Sequence, residues 1–308
     1  MYYSLNDYFR KTFGTKGYKV ALSGGMTCPN RDGTCGDRGC IFCSGSGEFA
    51  QTGKSVTEQI NLAAEKIRHK NKNGVLIAYF QDYTNTYAPV DTLRKMFTEA
   101  IIHPEVAVLS IATRPDCLPE DVISLLGELN RIKPVWVELG LQTVHESTAR
   151  FIRRGYALSV YDKAVTLLHS VGIQVITHLI IGLPGETPEM LMESIDHVSA
   201  LGTDGVKLHL LHVLKGTDLG ELYLQGEIST LDFPTYLALL AQCINRLPPY
   251  VVVHRLTGDG DKRKLLAPLW SGDKKHVLNE MHRYFSAENV FQGKNCLDFC
   301  KRNLYNDR

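Results

Sequence analysis

The sequence predicts an α/β protein built as a partial (β/α)6 TIM-like barrel with a C-terminal extension. Six short runs are apolar over most of their length, as is typical of parallel strands buried on both faces. Segments with helical spacing alternate with these runs, which indicates right-handed βαβ units around a parallel sheet. The alternation weakens after Leu211, two units short of a closed eight-stranded barrel.

The six predicted strands are "YKVALS", "GVLIAYF", "VAVLSIA", "PVWVELGL", "IQVITHLII" and "GVKLHLL", beginning at Tyr18, Gly74, Val106, Pro134, Ile173 and Gly205. The helical segments between them are "TEQINLAAEKIRHK", "VDTLRKMFTEAI", "PEDVISLLGELNR", "VYDKAVTLLHSVG" and "PEMLMESIDHVSALG". The first two strands begin 56 residues apart, farther than any later pair. The extra chain is a cysteine-rich loop directly after the first strand. Active sites of parallel α/β proteins form at the carboxyl ends of the strands, so we expect this loop to belong to one.

The chain beyond the sixth strand is less regular. A helix, "FPTYLALLAQCINRL", and a seventh strand, "YVVVHRL", precede a charged tail. We assign residues 1–215 to the barrel, with the cysteine loop at 27–45, and residues 216–308 to a C-terminal α/β extension that packs on the barrel and is a candidate substrate-binding region. Within it, residues 251–308 carry 11 basic and 7 acidic side chains, which can contact phosphates, although scattered surface lysines are the commoner reason for such an excess. Cys296 and Cys300, in "CLDFC", are too few for an auxiliary cluster and are read as packed or free thiols.

Composition excludes several classes of protein. The 34 basic and 33 acidic residues nearly cancel, so the overall charge indicates neither a nucleic-acid nor a membrane partner, and any polyanion site must be local. The N-terminus lacks the apolar run of a signal peptide, and no later run reaches the roughly 20 residues of a membrane span. We therefore expect a cytoplasmic protein with no membrane partner.

The stretch "TCPNRDGTCGDRGCIFCSG" holds four of the eight cysteines and shows no hydrophobic core of its own. In a reducing compartment, clustered cysteines are more often metal ligands or redox groups than disulfides. Two metal sites are compatible with the loop. All four thiolates could close a structural zinc site, although a C-x6-C pair is awkward there. Alternatively, three cysteines bind a [4Fe-4S] cluster and leave one iron open to a ligand, which the position after the first strand favours.

The string "TCPNRDGTCGDRGCIFC" resembles the cysteine loop of radical S-adenosyl-L-methionine (SAM) enzymes, in particular the YhcC/YtqA-like (MnmL) branch related to the elongator catalytic subunit. The resemblance covers nearly the whole chain and implies a barrel of radical SAM type that binds a [4Fe-4S] cluster and SAM. The catalytic cluster ligands would be Cys28, Cys40 and Cys43. Phe42 would pack beside the bound nucleoside, whereas alone it would be read as core filler. Cys35 is not part of the pattern and is read as a bystander, or as a redox or exchange ligand.

The segment after the second strand, "YFQDYTNTYAP", offers Gln81, Thr84, Asn85 and Thr86 at the rim. Taken alone, such a string is typical of a turn held by local side-chain bonds. The resemblance implies instead that this segment holds the amino group of SAM. After the third strand, Thr113 would also face the cofactor.

The fourth strand carries Glu138 and Gln142 at alternate positions, so both point to one face. A carboxylate inside a strand is costly unless it has partners, which makes Glu138 a site candidate. The resemblance implies that this strand lies near the SAM ribose and methionine groups. It also implies that Arg153 or Arg154, in "ARFIRRG", supplies a cation for the SAM carboxylate. Exposure on a helix is the default interpretation of both arginines.

After the fifth strand, the resemblance implies that the backbone of Ile181 and Gly182 lies beside the adenine. The sixth strand and its continuation contribute Lys207, His209 and His212. Two histidines could bind a metal, but no third ligand is evident. We therefore expect these residues to contact a ligand or to form structural hydrogen bonds, and we assign His212 to the cofactor site.

The resemblance also implies a reaction. SAM would be cleaved to a 5'-deoxyadenosyl radical, and the substrate would be the wobble uridine of tRNA, whose carboxymethylaminomethyl group becomes aminomethyl. An electron donor such as flavodoxin or ferredoxin and a downstream methyltransferase are the expected partners. The alternatives are a radical SAM enzyme that acts on a peptide or small metabolite, and a zinc-ribbon binding protein.

Overall fold

Seven parallel strands form one curled sheet, a half-barrel, in which the six predicted strands follow one another in chain order and a seventh strand pairs with the sixth. The computed structural model describes residues 1–45, 54–69, 73–258 and 262–297. Its strands are β1 Gly17–Leu22, β2 Val75–Phe80, β3 Val106–Thr113, β4 Val135–Gln142, β5 Gln174–Ile181, β6 Gly205–Leu210, β7 Val213–Leu214, β8 Val252–Arg255 and β9 Leu265–Ala267. Strands β7 and β9 form a separate antiparallel pair. The predicted partial barrel is confirmed, and its six strands begin within one residue of the predicted positions.

Helices cover the outer face of the sheet, as βαβ units require. The α-helices of the described residues are α1 Leu5–Phe13, α2 Val56–Arg68, α3 Val90–Ile101, α4 Glu120–Asn130, α5 Glu146–Phe151, α6 Leu158–Ser170, α7 Pro188–Ala200, α8 Asp218–Leu224, α9 Phe233–Arg246 and α10 Lys274–Ala287. All five helices predicted between strands are present. Their apolar sides and the outer face of the sheet share one large core, in which Leu93, Phe97 and Leu126 are fully buried.

Helix α1 was not predicted, although its sequence carries a start and a stop signal. Ser4 accepts a hydrogen bond from the backbone N–H of Asp7, and Asp7 accepts one in return from the Ser4 backbone. This capping box satisfies donors at the start of the helix. Gly14 ends the helix with a φ of 69°, a left-handed conformation that glycine adopts without steric cost. The helix closes the amino end of the barrel with Phe9.

The seventh predicted strand, β8, lies beyond the predicted domain boundary and pairs with β6 in the main sheet. The free edge of β8 is covered by the N-terminal segment, because the Val253 N–H donates to the Tyr3 carbonyl at 2.8 Å. Gln292 links the N-terminal segment to the segment before β8. It accepts a hydrogen bond from the Tyr3 N–H and donates to the carbonyls of Pro248 and Val251. The predicted boundary at residue 215 stays a prediction. No helix within the described ranges has the length and apolar character needed to cross a bilayer.

Candidate active site

The cysteine loop and the carboxyl ends of the strands enclose a cavity of about 330 Å³. Its wall includes Cys28, Cys40 and Cys43, whose thiols are free and partly buried. Cys35 is exposed and lines two other surface depressions instead. The structure therefore brings three of the four loop thiols to one cavity and separates the fourth from them.

The loop is anchored by protein contacts as well as by its turns, which the sequence did not indicate. Ile41 is 4% exposed and packs in a small apolar cluster with Ile152, Ile180 and Leu211. The Ile41 N–H donates to the Ile152 carbonyl at 3.3 Å, and the Ile41 carbonyl accepts from the Leu219 N–H at 2.8 Å. One residue beside Cys40 therefore ties the loop to an apolar cluster of the barrel, while the other members of that cluster lie outside the loop.

Asn30 fixes the position of Cys40. Its buried amide nitrogen donates to the carbonyl of Arg153 at 2.8 Å and to that of Arg154 at 3.3 Å. The same nitrogen lies 3.6 Å from the Cys40 sulfur. Within the loop, the Cys43 N–H donates to the Cys40 carbonyl at 2.9 Å. One side chain therefore connects a candidate ligand to the turn after α5.

The chemistry of the three thiols suits an iron-sulfur cluster better than a single ion. In the described residues, no three His, Cys, Asp or Glu side chains are grouped so that they could hold one metal ion. A structural zinc site needs four ligands around one ion, each about 2.0–2.3 Å from it. A [4Fe-4S] cluster instead takes its thiolates on separate irons. Burial, reinforced by Cys43, raises the pKa of the Cys40 thiol to about 11, so metal binding must displace its proton.

Side chains that alternate along the strands fill the barrel below this loop in layers. The lowest layer is apolar and consists of Ile77, Val108, Trp136 and Ile176, with Phe9 of α1 packed against them. Two residues further along the central strands lies a polar layer, which we call the ionic layer: Lys19, Tyr79, Ser110, Glu138, His178 and Lys207. The ionic layer forms the floor of the cavity, and the apolar layer separates it from the amino end of the barrel.

Glu138 is the centre of the ionic layer and is fully buried. Its Oε1 accepts from Lys19 Nζ at 2.8 Å and from Ser110 Oγ at 2.7 Å. Its Oε2 lies 2.8 Å from His178 Nε2 and accepts from Lys207 Nζ. Burial alone would raise the pKa of Glu138, but Lys19 and Lys207 outweigh it and hold that pKa well below its usual range. The carboxylate of Glu138 is therefore ionised, and each of its two oxygens has two hydrogen-bond partners within the protein.

The cations and imidazoles around Glu138 are also perturbed. Burial holds the pKa of Lys207 well below its usual range, although Glu138 pulls it upward. Lys207 also donates to the Tyr79 hydroxyl at 2.9 Å. Burial, with Lys207 next in effect, lowers the pKa of His178 to about 4, so its imidazole is neutral at pH 7. The ring centroid of His209 lies 5.2 Å from that of His178, and burial, with His178 next in effect, holds the pKa of His209 well below its usual range. Within the part of the chain that the structure describes, His209 Nε2 is buried without a hydrogen-bond partner.

Seven of the predicted cofactor-site residues line the cavity: Phe42, Gln81, Thr84, Thr113, Glu138, Gln142 and Arg154. Two of them have contacts that change their expected role. Glu138 belongs to the ionic layer, and all its oxygens are paired within the protein. Arg154 is 2% exposed and donates to the carbonyls of Thr143 at 2.6 Å and Tyr156 at 3.0 Å. This arginine therefore braces the turn after β4, and Arg153 instead pairs with Asp218.

Asn85 and Thr86, predicted at the rim, do not line the cavity. The Asn85 amide donates to the carbonyls of Phe80 and Ala112. The Thr86 hydroxyl bonds to that of Thr113 at 2.6 Å. Both side chains are buried between the ends of β2 and β3, so they hold the strand ends together.

Ile181, Gly182 and His212 are also absent from the cavity wall that the described residues form. Ile181 is fully buried in the large core. Gly182 has a φ of 90°, and a Cβ there would lie 2.9 Å from a Leu231 methyl group, so this turn requires glycine. His212 Nε2 lies 3.0 Å from Ser271 Oγ, away from the ionic layer. The adenine-side prediction for Ile181 and Gly182 stays a prediction.

Several lining residues were not predicted. Arg31 lies beside the thiols and donates to the Cys43 carbonyl at 2.7 Å. Tyr79 and His178 complete the floor, and Arg255 of β8 reaches the same cavity. The period-two argument that singled out Glu138 applies equally to Tyr79 and His178 on the neighbouring strands. The sequence carries no corresponding signal for Arg31, because its position depends on the folded loop.

Comparisons with known proteins agree with this geometry. Residues 32–198 match the Radical SAM superfamily, and residues 203–287 match the Radical_SAM C-terminal domain. The chain is 44% identical over 297 residues to protein YtqA of Bacillus subtilis, covering 95% of this chain and 92% of YtqA. It is 30% identical over 186 residues to a tRNA uridine(34) acetyltransferase of Methanocaldococcus jannaschii, covering 59% of this chain and 33% of that protein.

The fold is also shared with a solved structure, Elp3 of the archaeon Methanocaldococcus infernus, at a TM-score of 0.70 and 18% identity. The match covers 91% of this chain and 64% of the Elp3 chain. The sequence match extends over the half-barrel, and YtqA aligns with nearly the whole chain. The chain therefore belongs to the radical SAM superfamily, whose members use a [4Fe-4S] cluster and SAM, and within it to the YhcC/YtqA branch related to Elp3.

Proposed function

We propose that this radical SAM enzyme acts on the wobble uridine of tRNA and converts its carboxymethylaminomethyl group to aminomethyl. The observation that carries the radical chemistry is the placement of Cys28, Cys40 and Cys43 in the wall of one deep cavity at the carboxyl ends of the strands. The tRNA substrate is supported by the similarity to the YtqA branch and to a protein named as a tRNA uridine(34) acetyltransferase. The alternative substrates are a peptide and a small metabolite.

The three thiolates would hold the [4Fe-4S] cluster, as the chemistry of the donor set allows. When bound, the cluster supplies the electron that cleaves SAM to methionine and a 5'-deoxyadenosyl radical. The protein's contribution is to position the reactants and to keep water out. Phe42 and Ile152 provide apolar surface in the cavity wall, and Gln81, Thr84 and Gln142 provide polar groups near the rim.

Gly140 keeps the centre of the cavity open. A Cβ at this position would lie 2.9 Å from Gln142 Nε2, so a larger residue would compete with the amide for the space above Glu138. The substrate would approach from this side, with its glycine-like CH2 as the donor of the hydrogen atom that the 5'-deoxyadenosyl radical takes up. The imidazole of His178 is neutral at pH 7, because its pKa is about 4. It therefore adds no further positive charge to the reaction space.

The partners follow from the same proposal. An electron donor such as flavodoxin or ferredoxin would reduce the cluster, and a separate methyltransferase would act on the aminomethyl product. The tRNA backbone would be contacted by cations outside the cavity. Helix α10 offers exposed Lys275 and Arg283, which lie in the basic C-terminal region. Such contacts make binding dependent on salt, since phosphate contacts release counterions.

The radical assignment is tested by anaerobic reconstitution with iron and sulfide. We expect a brown protein that dithionite bleaches and that produces 5'-deoxyadenosine from SAM. Alanine variants of Cys28, Cys40 and Cys43 should lose both the cluster and this product. Cys35→Ala is the matched control, because this exposed thiol lies outside the cavity. Stoichiometric zinc without iron, or loss of the cluster in the Cys35 variant, contradicts the assignment of the loop.

The substrate is tested separately by mass spectrometry of tRNA nucleosides from a strain that lacks the gene. We expect carboxymethylaminomethyluridine to accumulate and its aminomethyl derivatives to disappear. Complementation with the wild-type gene should restore the profile, and complementation with the Cys40→Ala variant should not. An unchanged wobble-uridine profile contradicts the tRNA assignment and favours a peptide or metabolite substrate.

A further inference from the structure

The floor of the cavity holds more positive than negative charge. Glu138 is the only carboxylate among the described lining residues, and it already faces the ammonium groups of Lys19 and Lys207. One buried carboxylate therefore stands against two ammonium groups. Charge that is buried in excess is unfavourable, so this floor suits a further negative group.

Lys207 and His209, at the floor of the cavity, also have unused hydrogen-bonding capacity. A lysine ammonium carries three donors, and two partners are seen for Lys207: Glu138 and the Tyr79 hydroxyl. His209 lines the cavity, and its Nε2 is buried without a hydrogen-bond partner among the described residues. In the tautomer with a proton on Nε2, this atom is an unsatisfied donor. Buried donors without acceptors are rare because the loss of solvation is not compensated.

We propose that the floor of the cavity is a carboxylate subsite in which Lys207 and His209 bind the carboxylate of the substrate. The proposal rests on the proposed function, because the carboxymethylaminomethyl group of the wobble uridine ends in such a carboxylate. An N-alkylated glycine is thus the chemical class that the floor accepts. The CH2 next to the carboxylate then lies between the floor and the thiols, and the aminomethyl product, which lacks the carboxylate, cannot make these contacts.

The subsite explains an otherwise costly arrangement. The apolar layer below it, with Trp136 and Phe9, contains no group that needs cations. Glu138 alone is satisfied by Lys19, Ser110 and His178 and does not require Lys207 for its hydrogen bonds. A lysine that is 3% exposed and has a lowered pKa destabilises the empty protein. Binding of an anion offsets this destabilisation, so the charge of Lys207 is unfavourable when the floor is empty and favourable when it is occupied.

The test is a binding measurement on the anaerobically reconstituted holoenzyme with SAM. Two fluorescent anticodon stem-loops are compared by anisotropy, one with carboxymethylaminomethyluridine and one with aminomethyluridine. We expect the first to bind about ten-fold tighter or more, the usual effect of charge-assisted hydrogen bonds. In Lys207→Met and in His209→Ala this preference should fall to about two-fold or less. The affinity for SAM should not change in either variant, and His169→Ala, a partly exposed histidine paired with Asp204, is the matched control.

A second arm uses a probe that is independent of RNA. N-methylglycine at millimolar concentration should raise the unfolding temperature of the wild-type holoenzyme, and its neutral amide should not. The effect should be absent in His209→Ala. If both stem-loops bind better than unmodified RNA, equal affinity of the wild type for the two, or an unchanged preference in both variants, overturns the subsite. If neither stem-loop binds better than unmodified RNA, the tRNA function fails. In that case, stabilisation by N-methylglycine supports the subsite for a free amino acid. The absence of this stabilisation overturns the subsite as well.

Discussion

Glu138→Gln removes the negative charge of the ionic layer and keeps the shape of the side chain. Lys19 and Lys207, with side chains 21% and 3% exposed, then remain without their carboxylate. Removing one partner of a buried ion pair costs about 3–5 kcal/mol, because the other charge is left uncompensated. We expect a loss near the lower end, about 3 kcal/mol. Burial already holds the pKa of Lys207 below its usual range, so this lysine can lose its proton and reduce the cost.

The assay is urea unfolding of the anaerobic holoenzyme, read as the free energy of unfolding in water. The matched variants are Lys207→Met and the double variant Glu138→Gln with Lys207→Met. In the double variant the carboxylate and one ammonium leave together, so we expect it to be less destabilised than the sum of the single variants by about 1–3 kcal/mol. Strict additivity, or a loss below about 1 kcal/mol in Glu138→Gln, refutes the reasoning that these charges are buried and coupled.

The pH dependence of Glu138→Gln provides an independent check. A lysine whose pKa is lower in the folded than in the unfolded protein binds fewer protons when folded between those two pKa values. The free energy of unfolding must then rise with pH in that window. With Glu138 absent, the upward pull on the pKa of Lys207 is removed and the window widens. We therefore expect the deficit of Glu138→Gln to shrink as the pH rises toward the usual pKa of lysine, and not to do so when Lys207→Met is also present.

Three further predictions concern other parts of the fold. His178 has a folded pKa of about 4, so the free energy of unfolding should fall as the pH drops from about 6.5 to 4. In His178→Gln this fall should be less steep, as measured by urea titration at each pH. Gly182→Ala should cost about 1–2 kcal/mol, because alanine is strained at a φ of 90° and its Cβ approaches Leu231; an unchanged unfolding midpoint contradicts this. Asn30→Ala should lower the free energy of unfolding by about 1–3 kcal/mol, because two carbonyls and Cys40 lose their donor. It should also speed the loss of the cluster to a chelator, measured by absorbance. Asn30→Asp should not restore cluster retention, since a carboxylate cannot donate a hydrogen bond.

The fold could be predicted from the sequence because the strands are long, apolar and evenly separated by amphipathic helices. The start of β3 at Val106 and of β6 at Gly205 agree with the sequence pattern. Helix α1 was missed although Ser4 and Asp7 form a capping box, because a nine-residue helix outside the βα repeat has no periodic context. Such local signals are weaker than the alternation that defines the sheet.

The site was predicted in part. The period-two pattern placed Glu138 on the inner face, but it could not show that Lys19, 119 residues away, would occupy one of its oxygens. The polar string after β2 was ambiguous for a physical reason: amides and hydroxyls such as Asn85 bond equally well to a ligand or to nearby carbonyls. Only the folded strand ends decide between these uses. Arg154 shows the same limit, because a buried arginine that braces carbonyls has the sequence context of an exposed helical one.

The anchoring of the loop through Ile41 and Asn30 has a consequence for cofactor maturation. In small zinc domains the metal and the fold form together, so removing the metal unfolds the chain. Here the loop turns are held by contacts with the barrel and α8, and these contacts contain no thiol except that of Cys40. Cluster assembly is then the filling of a preorganised site, with a small loss of conformational entropy. We therefore expect that a cluster destroyed by oxygen is rebuilt on the folded protein, without unfolding and refolding of the chain.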